Sequence, residues 1–257
     1  MKKVLCIAVN TYRESVRSKV LYAVLFFAVI LVAVSALFGS VTIGDQVKVI
    51  KDFGLLSVSL FAVALVVISG SALLSKELQR KTIYNILAKA VYRWEFLLGK
   101  HLGLFITTVV MVFLLALGLC LFAFCFEGRL DPLLLLGALY VLLEILIVIS
   151  AAIFFSSLVV TPMLSGLFTF ALFIAGRSAE YILSMQAGLN GNAAAQTVLE
   201  IIYWMLPHLN ELNIANSVVY GSGVSLEHLA FSAIYALSYA AALLLLANIV
   251  FVRREFN

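Results

Sequence analysis

"LLLLGALYVLLEILIVISAAIFFS", residues 133–156, carries a single charge, Glu144, in an otherwise apolar run. About 20 apolar residues suffice to cross a bilayer as a helix. Five more runs of this kind surround it, at 21–38, 53–74, 102–126, 163–183 and 229–251. The whole chain is 64% hydrophobic and 12% charged, with mean hydropathy +1.15. A soluble domain is about 45–50% apolar and about 25% charged. The expected class is therefore an all-α polytopic membrane protein with six transmembrane helices, in one domain spanning 1–257.

Punctuation between the runs agrees. Pro132 and Pro162 stand just before the fourth and fifth, where a missing N–H costs a helix nothing. Val4–Val9 is too short for the apolar core of a cleaved signal, so the first span is expected to stay as an anchor. Thirteen of the seventeen Lys and Arg residues fall before the first run, between the second and third, or after the sixth. By the positive-inside rule both termini are cytoplasmic. This asymmetry accounts for the net charge of +4 without nucleic-acid binding. Cys6, Cys120 and Cys125 suggest neither a disulfide nor a metal pair.

Residues 3–19 read as an interfacial helix. Leu5, Val9, Tyr12 and Val16 make an apolar stripe, opposite Asn10, Arg13, Glu14 and Arg17. Residues 184–228 form a long external segment between the fifth and sixth spans. Within it "AAAQTVLEIIYWMLP" reads as a helix ended by Pro207, part of a set of short helices dipping into the outer leaflet.

No phosphate-binding G-x-x-x-x-G-K-[ST] occurs, nor H-E-x-x-H, nor G-x-S-x-G, and the three histidines are scattered. The chain is not expected to be an enzyme by itself, nor to bind a cofactor or metal. Glu144 is expensive in a span and should face protein or water. It is either a polar point on a translocation path or a protonated carboxyl bonded within the bundle. Arg177 and Glu180, three residues apart, are spaced to pair, as a clasp or as a substrate site.

The cytoplasmic stretch 76–100 is the main interruption. Over Glu77–Ala90, Ile83, Ile86, Leu87 and Ala90 share a helix face, with Gln79, Arg80, Asn85 and Lys89 on the rest. Such a helix can lie on anionic lipid or dock in a groove of a soluble partner. Its order of residues is Glu77, Thr82-Ile83, Ile86-Leu87, Arg93, Leu97-Leu98, Gly99-Lys100. That order resembles the first cytoplasmic loop of the ABC-2 type permeases, the membrane subunits of ATP-driven exporters. "NTYRESVRSKVLYAVL" (10–25), "LPHLNELNIANSVVYG" (206–221) and "VFVRREFN" (250–257) resemble three further regions of that family in the same order, closest to its small NosY-like and gliding-type members. Two positions leave the pattern. Lys81 stands where the family commonly has Gly, and Ala90 where it commonly has Pro.

The resemblance implies a permease subunit in a bacterial-type cytoplasmic membrane, moving a substrate outward. It implies a coupling helix whose Glu77, Arg80, Lys81, Thr82, Ile83, Tyr84, Ile86 and Leu87 contact a separate ABC ATPase. Arg93, Gly99 and Lys100 follow that helix. Two ATPase copies with ATP and Mg, a second permease copy or a paralogue, and membrane lipid are the implied partners. It also implies a closure surface on the second and fifth spans. Gly70, Gly166 and Gly176 there could allow close approach or simply pack the bundle. The competing expectations are an ion-coupled secondary carrier and a membrane anchor for another complex.

Overall fold

The computed structural model describes residues 2–41, 46–79, 91–129, 131–159, 161–182 and 193–253. Among these the regular structure is entirely helical. The helices are α1 (Lys2–Val16), α2 (Lys19–Val41), α3 (Gln46–Gln79), α4 (Arg93–Glu127), α5 (Pro132–Leu158), α6 (Pro162–Arg177), α7 (Ala193–Met205), α8 (Ala215–Val219) and α9 (Leu226–Arg253). A 3₁₀ turn, Leu209–Leu212, precedes α8. Four helices, α3, α4, α5 and α9, are long and apolar enough to cross a membrane; a fifth crossing arises if α1 and α2, bent by 60°, count as one span.

The helices overrun the apolar runs because polar residues at their ends keep helical propensity. Thus α3 continues to Gln79, which makes Glu77 part of its last turns instead of the start of a separate helix. The rest of the expected coupling helix, with Arg80, Lys81, Thr82, Ile83, Tyr84, Ile86 and Leu87, lies outside the described residues. The fifth run differs most. Helix α6 stops at Arg177 with a one-residue turn at Ser178, whose N–H bonds back to Ile174 O and Ala175 O, and the chain is helical again over 179–182. Sixteen residues give about 24 Å, short of the ~30 Å hydrocarbon core.

Helix α5 is the centre. It is apolar all round, as a helix surrounded by others must be, and packs on α3, α4, α6 and α9. Small residues bring α3 close to it: a Cβ on Gly70 would sit 2.9 Å from Ala152 Cβ, and Ser156 Oγ donates to Ser71 O. Gly166 faces Ser71 and Val67 of α3, and Gly176 faces Pro207 O. All three glycines are thus used by packing within the chain. Helices α2 and α9 cover single sides of the bundle and leave Phe26, Phe27, Phe231, Ile234 and Leu245 exposed. Such apolar faces suit lipid.

The turns have local reasons. Gly128 ends α4 in the left-handed conformation (φ 69°), and Asp131 caps α5 by accepting from Leu133 N–H, with Pro132 next. Lys51 of α3 locks this turn, 2.8 Å from Glu127 and 2.7 Å from Asp131. Lys51→Met would leave two carboxylates facing each other. We expect a loss of about 1–3 kcal/mol, less than for a fully buried pair because Glu127 stays a third exposed. A lowered unfolding midpoint of the purified chain checks this.

Candidate functional site

Two clusters of polar side chains stand out, one at each depth of the bundle. The first lies at the α1 end. Helix α4 carries Gly99 and Gly103, four residues apart, and α1 crosses them. A Cβ on Gly99 would meet Ile7 Cβ at 2.7 Å, and one on Gly103 would meet Thr11 Cβ at 2.5 Å and Ala8 O at 2.6 Å. The face of α1 held against the bundle is therefore Ala8, Thr11 and Ser15, all buried. Leu5 and Val9 of the expected apolar stripe remain exposed. Small residues, not the apolar stripe, dock α1. The G-x-x-x-G spacing in "GKHLG" (99–103) is the sequence signal that carries this.

Between those glycines sits Lys100, only 3% exposed at its side chain. Its Nζ lies 2.5 Å from Glu77 Oε1 of α3 and 3.9 Å from Glu14 Oε2 of α1. A lysine buried to this degree needs a partner to stay charged. Arg93, at the start of α4, donates from Nη1 to Phe251 O and Val252 O, both at 2.8 Å, and its guanidinium stacks over Phe251. It satisfies carbonyls that the end of α9 would otherwise leave open. Glu77, Arg93, Gly99 and Lys100 thus meet at one end of the fold, where α1, α3, α4 and α9 converge.

The second cluster is deeper. Glu144 of α5, with 1% of its side chain exposed, lies 3.5 Å (Oε1) from Arg177 Nε of α6. Ser59 of α3 donates to its other oxygen at 3.0 Å. Glu144 thus faces protein, as expected, whereas the expected Arg177–Glu180 pair is corrected. Glu180 instead accepts from Asn210 Nδ2. The reason is helix geometry. Glu144 lies about 21 Å from the α5–α6 connection along α5, and Arg177 about 22 Å along α6. These equal distances from the short connection place Arg177 level with Glu144.

Chain from the long segment closes over this pair. Leu209, Leu212, Ile214 and Val218 are buried against α3, α5 and α6. Between this cover and the helices lies a cavity of about 70 Å³, lined among others by Asp52, Ser59, Glu144, Arg177 and Asn213. The burial of Leu209, Leu212, Ile214 and Val218 accords with the apolar content of the segment, and α7 ends before Pro207 as expected. Asp52 and Asn213, which share the cavity with Glu144, were not singled out by sequence pattern. Cys6, Cys120 and Cys125 are free thiols.

A scan against protein-family models finds no match, and no curated protein matches the chain.

Proposed function

We propose that the chain is the membrane permease subunit of an ABC transporter of the ABC-2 type, exporting a substrate with ATP hydrolysed by a separate ATPase. In this reading all six apolar segments cross the bacterial-type cytoplasmic membrane, α6 as the shortest. The α1 end faces the cytoplasm, and α1 lies at the interface with Leu5 and Val9 toward lipid. Two ATPase copies bind residues 77–87, and a second permease copy completes the path.

The observation that carries this reading is the anchorage around residues 80–90. Just before the segment, Glu77 is paired to Lys100; just after it, Arg93 holds the end of α9. A push on the segment therefore acts on α3, α4 and α9 together, with α1 attached through Gly99 and Gly103. A rigid-body switch driven from a cytoplasmic partner requires such shared mounting. ATP binding on the partner then biases the bundle between two states by differential affinity. The test is purification of the tagged chain from its own membranes. The proposal expects a chain with a Walker A motif and ATP hydrolysis in the same complex, and it fails if the intact chain carries no ATPase activity with it.

One observation favours an ion-coupled carrier. Glu144–Arg177 is a charge pair at depth, beside a helix that stops part-way, as in carriers with discontinuous helices. Among the described residues the other break, the 60° bend between α1 and α2, does not lie beside this pair. Transport driven by an ion gradient without ATP would decide for the carrier.

A further inference from the structure

The cavity over Glu144 and Arg177 contains unused hydrogen-bonding capacity of both signs. Glu144 Oε1 and Arg177 Nε are enclosed and neither has a hydrogen-bond partner, since their 3.5 Å separation does not make one. Arg177 also lies over the Phe173 ring, and among the described residues no hydrogen bond from its terminal nitrogens is found. A guanidinium offers five donors in a fork that fits carboxylate or phosphate. Asp52, exposed at the far-end side of the same cavity, adds a second carboxylate. Asp52 and Ser59 lie about 10 Å apart along α3, so the polar lining runs as a slot from the end of the bundle to the buried pair.

The charges select the ligand. A simple anion on Arg177 would face Glu144 and Asp52. A simple cation near the two carboxylates would face Arg177. A group carrying both an ammonium and an anionic oxygen suits both sides: its ammonium can donate to Glu144 Oε1 and is favoured by the charge of Asp52 in the same cavity, and its oxygens suit the Arg177 fork. Buried polar groups left unpaired cost about 1–3 kcal/mol each, and this ligand removes that penalty. The cavity volume of about 70 Å³ limits the fit to a small group or the head of a larger molecule.

We propose that the Asp52–Glu144–Arg177 slot binds a zwitterionic group, a primary ammonium joined to a phosphate or carboxylate. The residues 209–218 form its cover. This names a substrate chemistry for the transport reading above and rests on that reading only for the step from binding to carriage. Binding is measured on the chain alone, so either can fail without the other.

The experiment is calorimetric titration of the full chain in nanodiscs of phosphatidylcholine, a lipid whose quaternary ammonium lacks N–H donors. The probes are phosphoethanolamine, glycine, phosphocholine, glycerol phosphate and ethanolamine. We expect at least one of the first two to bind at least tenfold more tightly than each of the last three. Binding of phosphoethanolamine alone points to a lipid headgroup, and of glycine alone to an amino acid or peptide. Glu144→Gln and Arg177→Gln should each weaken that binding at least tenfold. Asp52→Asn, at an exposed position where folding is not at risk, should weaken it several-fold. The proposal is overturned if none of the probes binds, if glycerol phosphate or ethanolamine binds equally well, or if Asp52→Asn leaves the affinity unchanged.

Discussion

Arg177→Met should lower the stability of the chain by about 3–5 kcal/mol, the range for removing one partner of a buried ion pair. The cause is Glu144, which is 1% exposed and keeps only the Ser59 hydroxyl once the guanidinium is gone. The sign is checked by the double variant. Glu144→Leu with Arg177→Met removes both charges and leaves an apolar contact, so it should be more stable than Arg177→Met alone. Glu144→Gln in the presence of Arg177 should fall between, because Arg177 retains part of its exposure. Thermal unfolding of the purified chain in detergent orders the four proteins. If the single and double variants melt together, Arg177 does not support Glu144.

Gly103→Leu should detach α1 from the bundle. Even the first carbon of the new side chain would lie 2.5 Å from Thr11 Cβ and 2.6 Å from a backbone oxygen, Ala8 O. A backbone atom cannot step aside as a side-chain tip can, so α1 has to move. Overpacking of this kind costs about 1–3 kcal/mol. Here the strain can be relieved by undocking a helix joined to the rest through a 60° bend. Amide exchange across residues 4–16 should rise strongly, while exchange in α5 stays slow. Gly118→Leu, on the same helix α4, is the control, because a Cβ there meets nothing within 4 Å. Equal exchange in the two variants would contradict the docking described for α1.

The long apolar helices were the most legible part of the fold, although four or five of them, not all six expected runs, are long enough to cross a membrane among the described residues. A run such as 133–156 has only one use in a chain of this composition, and its centre in the bundle follows from being apolar on every face. Helix ends were less legible, since hydropathy marks where a helix is apolar and not where its backbone bonds stop. That is why α3 reaches Gln79 and α4 begins at Arg93. The docking face of α1 escaped for a related reason. Ala8, Thr11 and Ser15 carry little hydrophobicity, yet they set how closely two backbones approach. The Glu144–Arg177 pair joins residues on different helices; their equal depth follows from equal distances to the α5–α6 connection, and no local pattern in "LFIAGRSAEYIL" (172–183) marks the partner. Lys100, by contrast, was marked by its place after Gly99, and its pairing with Glu77 supplies a physical reason for that placement.

In the proposed function the chain is moved by ATP hydrolysed elsewhere and pushed at residues 77–90. Substrate export from vesicles holding the reconstituted complex tests it most directly, comparing the wild-type chain with Arg80→Glu/Lys81→Glu. The prediction is export that requires ATP in the wild type, and its loss in the double variant although the chain remains folded in the membrane. Export that continues without ATP, or is untouched by the charge reversal, would contradict the account.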